Sequence, residues 1–267
     1  MIEENLKRAI KERNVILFVG AGVSASLGLP TWSKLIEKMG EDLGYDKKLF
    51  SQYGDNLILA EYYSLVKGHI RELKKLLEEE QASKQHMVKD SPVYRAIVEL
   101  DCPIIYTTNY DHFLENAYEA AKKSYRRIVD VDDLVDLEPA TTQIVKFHGD
   151  YTVEESIVLT ESSYFERLNF ESPMDIKLRA DMLGKSILFL GYSLSDINIR
   201  LLIYKLDQLW KKSNLPKRPQ SYIFLPTPNE VQERILESRG ITAIIGEKLD
   251  KSESMSDFLQ RLINNQI

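Results

Sequence analysis

Four apolar runs of this sequence end in polar or glycine-rich text. "NVILF" leads into GAGVS at 20–24, "PIIY" into TTNYD at 107–111, "QIVKF" into HGD at 148–150, and "SILFL" into GYSLSD at 191–196. Each run is short and apolar, which reads as a buried strand. Helical patterns separate the runs. Strands alternating with helices imply an α/β fold, a mostly parallel sheet with helices on both faces. In such a sheet ligands bind beyond the carboxyl ends of the strands, where the strand order switches. The four polar stretches are therefore expected side by side along one edge.

The rest of the chain fits this frame. Residues 2–12 read as a helix with Ile2, Leu6 and Ile10 on one face, and residues 33–43 as another. Residues 55–100 contain no convincing strand and read as three or four helices. The last of these is "SPVYRAIVEL", with Ser91 as N-cap and Pro92 at the first helical position. The expected organisation is one domain over 1–267 with an inserted helical module at about 46–100. "SIVLT" at 156–160 reads as a further strand and 161–183 as helix. After GYSLSD come a helix to about Trp210, the strand "SYIFLP", a helix over 228–238, the strand "ITAIIG" and a helix over 254–264. The acidic run Asp130, Asp132, Asp133, Asp136 and Glu138 reads as a solvated loop.

Composition narrows the function classes. The formal net charge of −6 provides no overall footprint for nucleic acid. Cys102 is the single cysteine, so neither an intrachain disulfide framework nor a cysteine-based zinc site is possible. No apolar run approaches the ~20 residues of a membrane span. The mixed-charge start MIEENLKRAIKER is not a secretory signal, and a cytoplasmic location is expected. The four histidines lack ligand spacing, so no metal site is expected; His112 reads as a helix-surface residue.

The glycine turn has two readings. Gly20 and Gly22 follow a strand and precede small residues. Glycine tolerates positive φ and lets a phosphate approach the main chain. The helix start that follows would offer N–H groups to an anion, and Ser24 a hydroxyl. The spacing is Gly-x-Gly-x-x-Ala, with Ala25 in the third glycine's place. A Rossmann-like dinucleotide fingerprint would also place an acid at the end of the next strand, about 20 residues on. Here residues 41–45, EDLGY, fall in a helix. The turn is either a tight strand-to-helix connection or a cradle for a pyrophosphate.

GAGVSASLGLP, TTNYD, HGD and GYSLSD, in that order, resemble the four signatures of sirtuins, the NAD-dependent deacylase superfamily. The resemblance spans residues 16 to about 200 and implies a Rossmann-like NAD-binding fold. It implies that Gly20, Ala21, Gly22 and Ser24 hold the dinucleotide. Gly191 and Ser193 would close on the adenosine ribose, though Ser193 also reads as a helix cap. Asp196 reads either as a ribose ligand or as a helix N-terminal acid. Deacylases usually carry a four-cysteine zinc module, which this chain cannot build. Thr31-Trp32 and Tyr110 also depart from the deacylase pattern. These departures are similar to the bacterial antiphage-defence branch, including the Thoeris type. That resemblance implies hydrolysis of NAD+ as substrate, with no true cofactor.

Chemistry assigns three catalytic candidates. Asn109 would hold the ribose and carboxamide, its amide offering donors and acceptors without charge; the rival reading is a helix cap. Asp111 would orient the carboxamide. His148 would be the base, since imidazole titrates near neutral pH, or else a turn histidine bonded to main chain. No sensor segment is evident, so a regulatory protein partner, a nucleotide activator or homo- or hetero-oligomerisation is expected to switch the enzyme on. No nucleic acid or membrane partner is expected. Two rival functions remain: a protein deacylase or ADP-ribosyltransferase, and a non-enzymatic sensor of NAD or ADP-ribose.

Overall fold

The computed structural model describes residues 2–135, 138, 141–169, 171–194, 196–212 and 219–264. The strands are β1 (Val15–Val19), β2 (Ile104–Thr107), β3 (Tyr125–Ile128), β4 (Thr142–Lys146), β5 (Ser186–Leu190), β6 (Ser221–Leu225) and β7 (Ile241–Ile245). The first helices are α1 (Ile2–Lys11), α2 (Ala21–Ala25), α3 (Trp32–Asp42), α4 (Lys47–Phe50), α5 (Asn56–Lys67), α6 (Arg71–Lys84) and α7 (Pro92–Glu99). They are followed by α8 (Phe113–Ala120), α9 (Glu161–Glu166), α10 (Pro173–Gly184), α11 (Ile197–Lys212), α12 (Glu230–Ser238) and α13 (Lys251–Ile263).

The strands form one sheet of order β3-β4-β2-β1-β5-β6-β7, and every adjacent pair is parallel. Alternate residues of a strand face opposite sides. Val15, Leu17 and Val19 of β1 therefore enter a core shared with α1, α7, α8 and α13, while Ile16 and Phe18 enter one shared with α10, α11 and α12. Both faces are covered, which is why β1 is an unbroken apolar run and β5 is one after Ser186. The chain builds from β1 toward β2, then crosses back to β5 on the other side of β1. The strand order thus reverses at β1 and β5, and the four polar tails follow the adjacent strands β4, β2, β1 and β5.

A third, smaller core joins α3, α4, α5 and α6 through Leu35, Ile36, Met39, Phe50, Leu59, Tyr63 and Leu73, and Leu159 closes it. Helix α7 packs on the sheet instead. Its start follows the sequence pattern: Ser91 Oγ accepts from Tyr94 N–H, and Pro92 occupies the first helical position.

Three sequence expectations need correction. "SIVLT" is not a strand. A short 3₁₀ turn (Glu154–Ser156) precedes it, and Val158 N–H donates to the His148 carbonyl at 2.9 Å, so the segment folds over the HGD turn rather than joining the sheet. The helix expected over 161–183 is two helices, because Ser172 caps and Pro173 starts a new one. The strand Tyr125–Ile128 was not expected: as an edge strand it carries exposed Arg126 and reads as polar. In the acidic run, Asp130 caps a short 3₁₀ turn (Val131–Leu134), Asp130, Asp132 and Glu138 are exposed, and Asp136 lies outside the described residues.

Candidate active site

A cavity of about 940 Å³ opens over the carboxyl ends of β1, β2, β4 and β5. That is at the upper end of the ~300–1,000 Å³ usual for ligand sites. Asn109, Asp111 and His148 line it together with Ala21, Gly22, Ser24, Gly191, Ser193 and Asp196. Gly20 does not: it lies behind the wall, and its carbonyl holds Asn109.

The glycines serve packing rather than positive φ. Gly20 has an extended φ of −109°. Its N–H donates to Leu190 O at 2.9 Å, and that of Gly22 to Gly191 O at 2.8 Å. Both donors knit the β1 turn to the β5 turn, so these two N–H groups are already engaged within the protein. A Cβ on Gly22 would lie 2.8 Å from Gly191 O. Of Gly20, Gly22 and Gly191, Gly191 is the one with a left-handed φ, +58°, and a Cβ there would lie 2.5 Å from Val23 N.

Asn109 is not the cap of α8. The N-cap position is His112, and Asp111 Oδ1 accepts from Phe113 N–H at 3.0 Å. Asn109 is 8% exposed, and its Nδ2 donates to Gly20 O at 3.2 Å and to Ser24 Oγ at 3.0 Å. Ser24 Oγ in turn meets Tyr94 Oη at 3.1 Å. The Asn109 Oδ1 is buried without a partner. Buried Lys146 donates to the Asp111 carbonyl and faces Glu115 at 3.6 Å, which ties the TTNYD loop to β4.

His148 is 3% exposed. Its Nδ1 meets Tyr164 Oη at 3.3 Å, and its Nε2 lies 3.0 Å from Asp196 Oδ2. In the second contact Nε2 and Oδ2 face each other without an aligned hydrogen bond. Asp196 Oδ1 accepts from Asn198 and Ile199 N–H at 2.8 and 3.2 Å. Burial pushes the Asp196 carboxyl up, but His148 and these two N–H groups outweigh it and hold the pKa below the usual range. Tyr110, which departs from the deacylase pattern, donates to Val158 O at 2.8 Å and pins the segment above His148.

Tyr164 carries no site signal in the sequence beyond its place in a helix start; Thr160 caps that helix, α9, its side chain accepting from Ser163 N–H. His112 also needs correction: its ring stacks on Tyr151, and Nε2 lies 2.7 Å from fully buried Asp150, with Arg127 3.2 Å from the same carboxylate. His112, Glu115 and Asp150 bring ligand-type atoms within 4.8 Å of one another. Arg127 and Lys146 supply the counter-charge there.

Residues 103–244 match the family described as the SIR2-like domain. This chain belongs to the SIR2-like family. It is 28% identical to the NAD(+) hydrolase ThsA of Enterococcus faecium, over 80% of this chain and 44% of that protein. The ThsA of Bacillus cereus is 27% identical over 78% of this chain and 43% of its own length. Defense-associated sirtuin 2 of Bacillus subtilis is 29% identical over 98% of this chain and 26% of that protein. The SIR2-like chain thus spans less than half the length of these curated relatives. The crystal structure of a Sir2 homolog–NAD complex superposes with a TM-score of 0.55 at 15% identity, covering 100% of this chain and 96% of that one, a likeness of fold. Among the described residues no helix is long and apolar enough to cross a membrane.

Proposed function

We propose that this SIR2-like chain hydrolyses NAD+ to nicotinamide and ADP-ribose as an effector of antiphage defence. One observation carries the reading. Three separate loops bring Asn109, His148 and Asp196 to the wall of one cavity of dinucleotide size, where the Asn109 Oδ1 is buried without a partner beside the His148–Asp196 pair. Buried polar atoms are normally satisfied, so an unpartnered amide oxygen there fits a polar ligand. The names of the relatives support NAD+ as that ligand.

The nicotinamide ring is cationic in NAD+ and leaves as the neutral amide. The C1′–N bond breaks with its electron pair going to the ring nitrogen, and positive charge develops on the ribose. A water oxygen then bonds to C1′ and loses its proton. Asn109 Oδ1 accepts from a ribose hydroxyl or the carboxamide, its amide held still by Gly20 and Ser24. His148 takes the proton. Asp111, on the same wall, orients the carboxamide.

Unchecked NAD+ loss would kill the host. We infer that in the cytoplasm the enzyme is held inactive until a regulatory protein, a nucleotide signal or oligomerisation switches it on, with residues 55–100 as the partner surface. The deciding assay is nicotinamide release by wild type, Asn109→Ala and His148→Ala. Turnover in wild type and its loss in both variants supports the reading. Binding without turnover in all three favours a sensor, and acetyl-ADP-ribose from an acetylated peptide favours a deacylase. A rate unchanged by lysate from infected cells would remove control in trans.

A further inference from the structure

Asp196 is tied down twice. It follows the Gly191 turn after β5, and its Oδ1 caps α11 through Asn198 and Ile199 N–H. That leaves Oδ2, which faces His148 Nε2 at 3.0 Å. Its side chain is 8% exposed. A carboxylate that spends one oxygen on a helix start and turns the other to an imidazole has little left for a ribose, the role the sequence offered it. On the opposite side of the ring, Tyr164 Oη meets Nδ1 at 3.3 Å, and the two rings stand edge to face at 5.1 Å.

We propose that Asp196 is a positioning residue for His148: anchored on α11, it holds a negative charge beside Nε2, while Tyr164 sets the tilt of the ring from the Nδ1 side. The proposal rests on the reading of this cavity as an NAD+-cleaving site. When Nε2 takes up a proton, the imidazolium forms next to a carboxylate that stays ionised. A charge at 3.0 Å from a buried ring acts through a medium far less screening than water. The lowered pKa of Asp196 agrees with a carboxylate kept ionised there.

Asp196→Asn separates the two jobs. The amide oxygen can still accept from the two N–H groups, because Asn caps helices as well as Asp, but the charge at Nε2 is gone. The expected result is a kcat for nicotinamide release about 100-fold lower, the scale of acid–base assistance, with KM for NAD+ and the melting temperature near wild type. A raised KM with unchanged kcat would make Asp196 a substrate ligand and overturn the proposal. Unchanged kinetics, with only Asp196→Ala destabilised, would reduce it to a cap and also overturn it. A second readout needs no turnover: nitrogen-15 NMR of histidine-labelled protein. The His148 ring nitrogens should shift in Asp196→Asn, while His69 and His86 stay put. An unmoved His148 signal overturns the pairing. A wild type that binds but does not cleave NAD+ would defeat the functional reading and leave the NMR result to judge the pair.

Discussion

Asn109 Nδ2 donates to Ser24 Oγ at 3.0 Å across 85 residues of sequence, and the same nitrogen donates to the Gly20 carbonyl at 3.2 Å. A carbonyl can only accept, so the amide must present its nitrogen to the β1 turn and keep its oxygen for something else. Ser24→Ala removes one holder and strips Tyr94 Oη of its 3.1 Å partner. The expected cost is about 1–2 kcal/mol in urea denaturation, with slower nicotinamide release. Asn109→Asp, nearly the same shape, would set an anionic oxygen against Gly20 O and should abolish turnover. An active Asn109→Asp enzyme of wild-type stability would show that the amide's polarity is unused.

Two glycines in the left-handed region should respond very differently to alanine. At Gly191, φ is +58° and a Cβ would sit 2.5 Å from Val23 N, a backbone atom between two knitted turns. At Gly44, φ is +83° but nothing lies within 4 Å. Gly44→Ala should cost about 1 kcal/mol of backbone strain. Gly191→Ala should cost about 3 kcal/mol or more and collapse the cavity. Thermal melts of the two variants make the comparison. Equal losses would mean the approach of the β1 and β5 turns is not tight.

Acid sensitivity should track Asp150. Burial pushes its carboxyl up, but His112, Lys146 and Thr152 outweigh that and hold the pKa well below the usual range. A depressed folded pKa adds stability that is complete above the unfolded value of about 3.9 and is lost as pH falls through the folded value. Asp150→Asn breaks a buried ion pair and should cost about 3 kcal/mol at neutral pH. Urea titrations from pH 7 downward should show the gap to wild type narrowing only below about pH 4. A gap independent of pH would remove the charge from the explanation.

The cavity's charge bears on which dinucleotide it takes. Asp55, Asp111, Glu161 and Asp196 line it, with no lysine or arginine among the described lining residues. Sites for 2′-phosphorylated dinucleotides usually offer a cation to that phosphate. NADP+ should therefore be cleaved with a kcat/KM at least about tenfold below that of NAD+, a difference of about 1.4 kcal/mol. Parallel nicotinamide-release assays would measure the ratio, and equal rates would refute the electrostatic argument.

The fold was legible where signals are local. β1 is an unbroken apolar run, and β2 and β5 are apolar but for one polar end residue each, because both faces of a parallel sheet are covered, and Ser91-Pro92 announces α7 within its first turn. β3 was hidden because an edge strand half in solvent, YRRI, has no such run. "SIVLT" misled because β-branched residues fit any extended backbone, and the hydrogen bonds of Val158 to His148 and Tyr110 show which one this is.

Residue order alone settled that four polar tails would meet at one sheet edge, since parallel strands must all point the same way. It also placed Asn109, Asp111 and His148 on those tails. Which atoms remain for a ligand was a matter of packing between distant segments. The Asn109 nitrogen is spent on Gly20 and Ser24, the N–H groups of Gly20 and Gly22 on the β5 turn, and one Asp196 oxygen on α11. Tyr164 joined the site only because α9 folds back over β4's end. Local pattern encodes backbone periodicity and helix starts, whereas hydrogen-bond partners far apart in the chain exist only once the sheet order has brought their loops together.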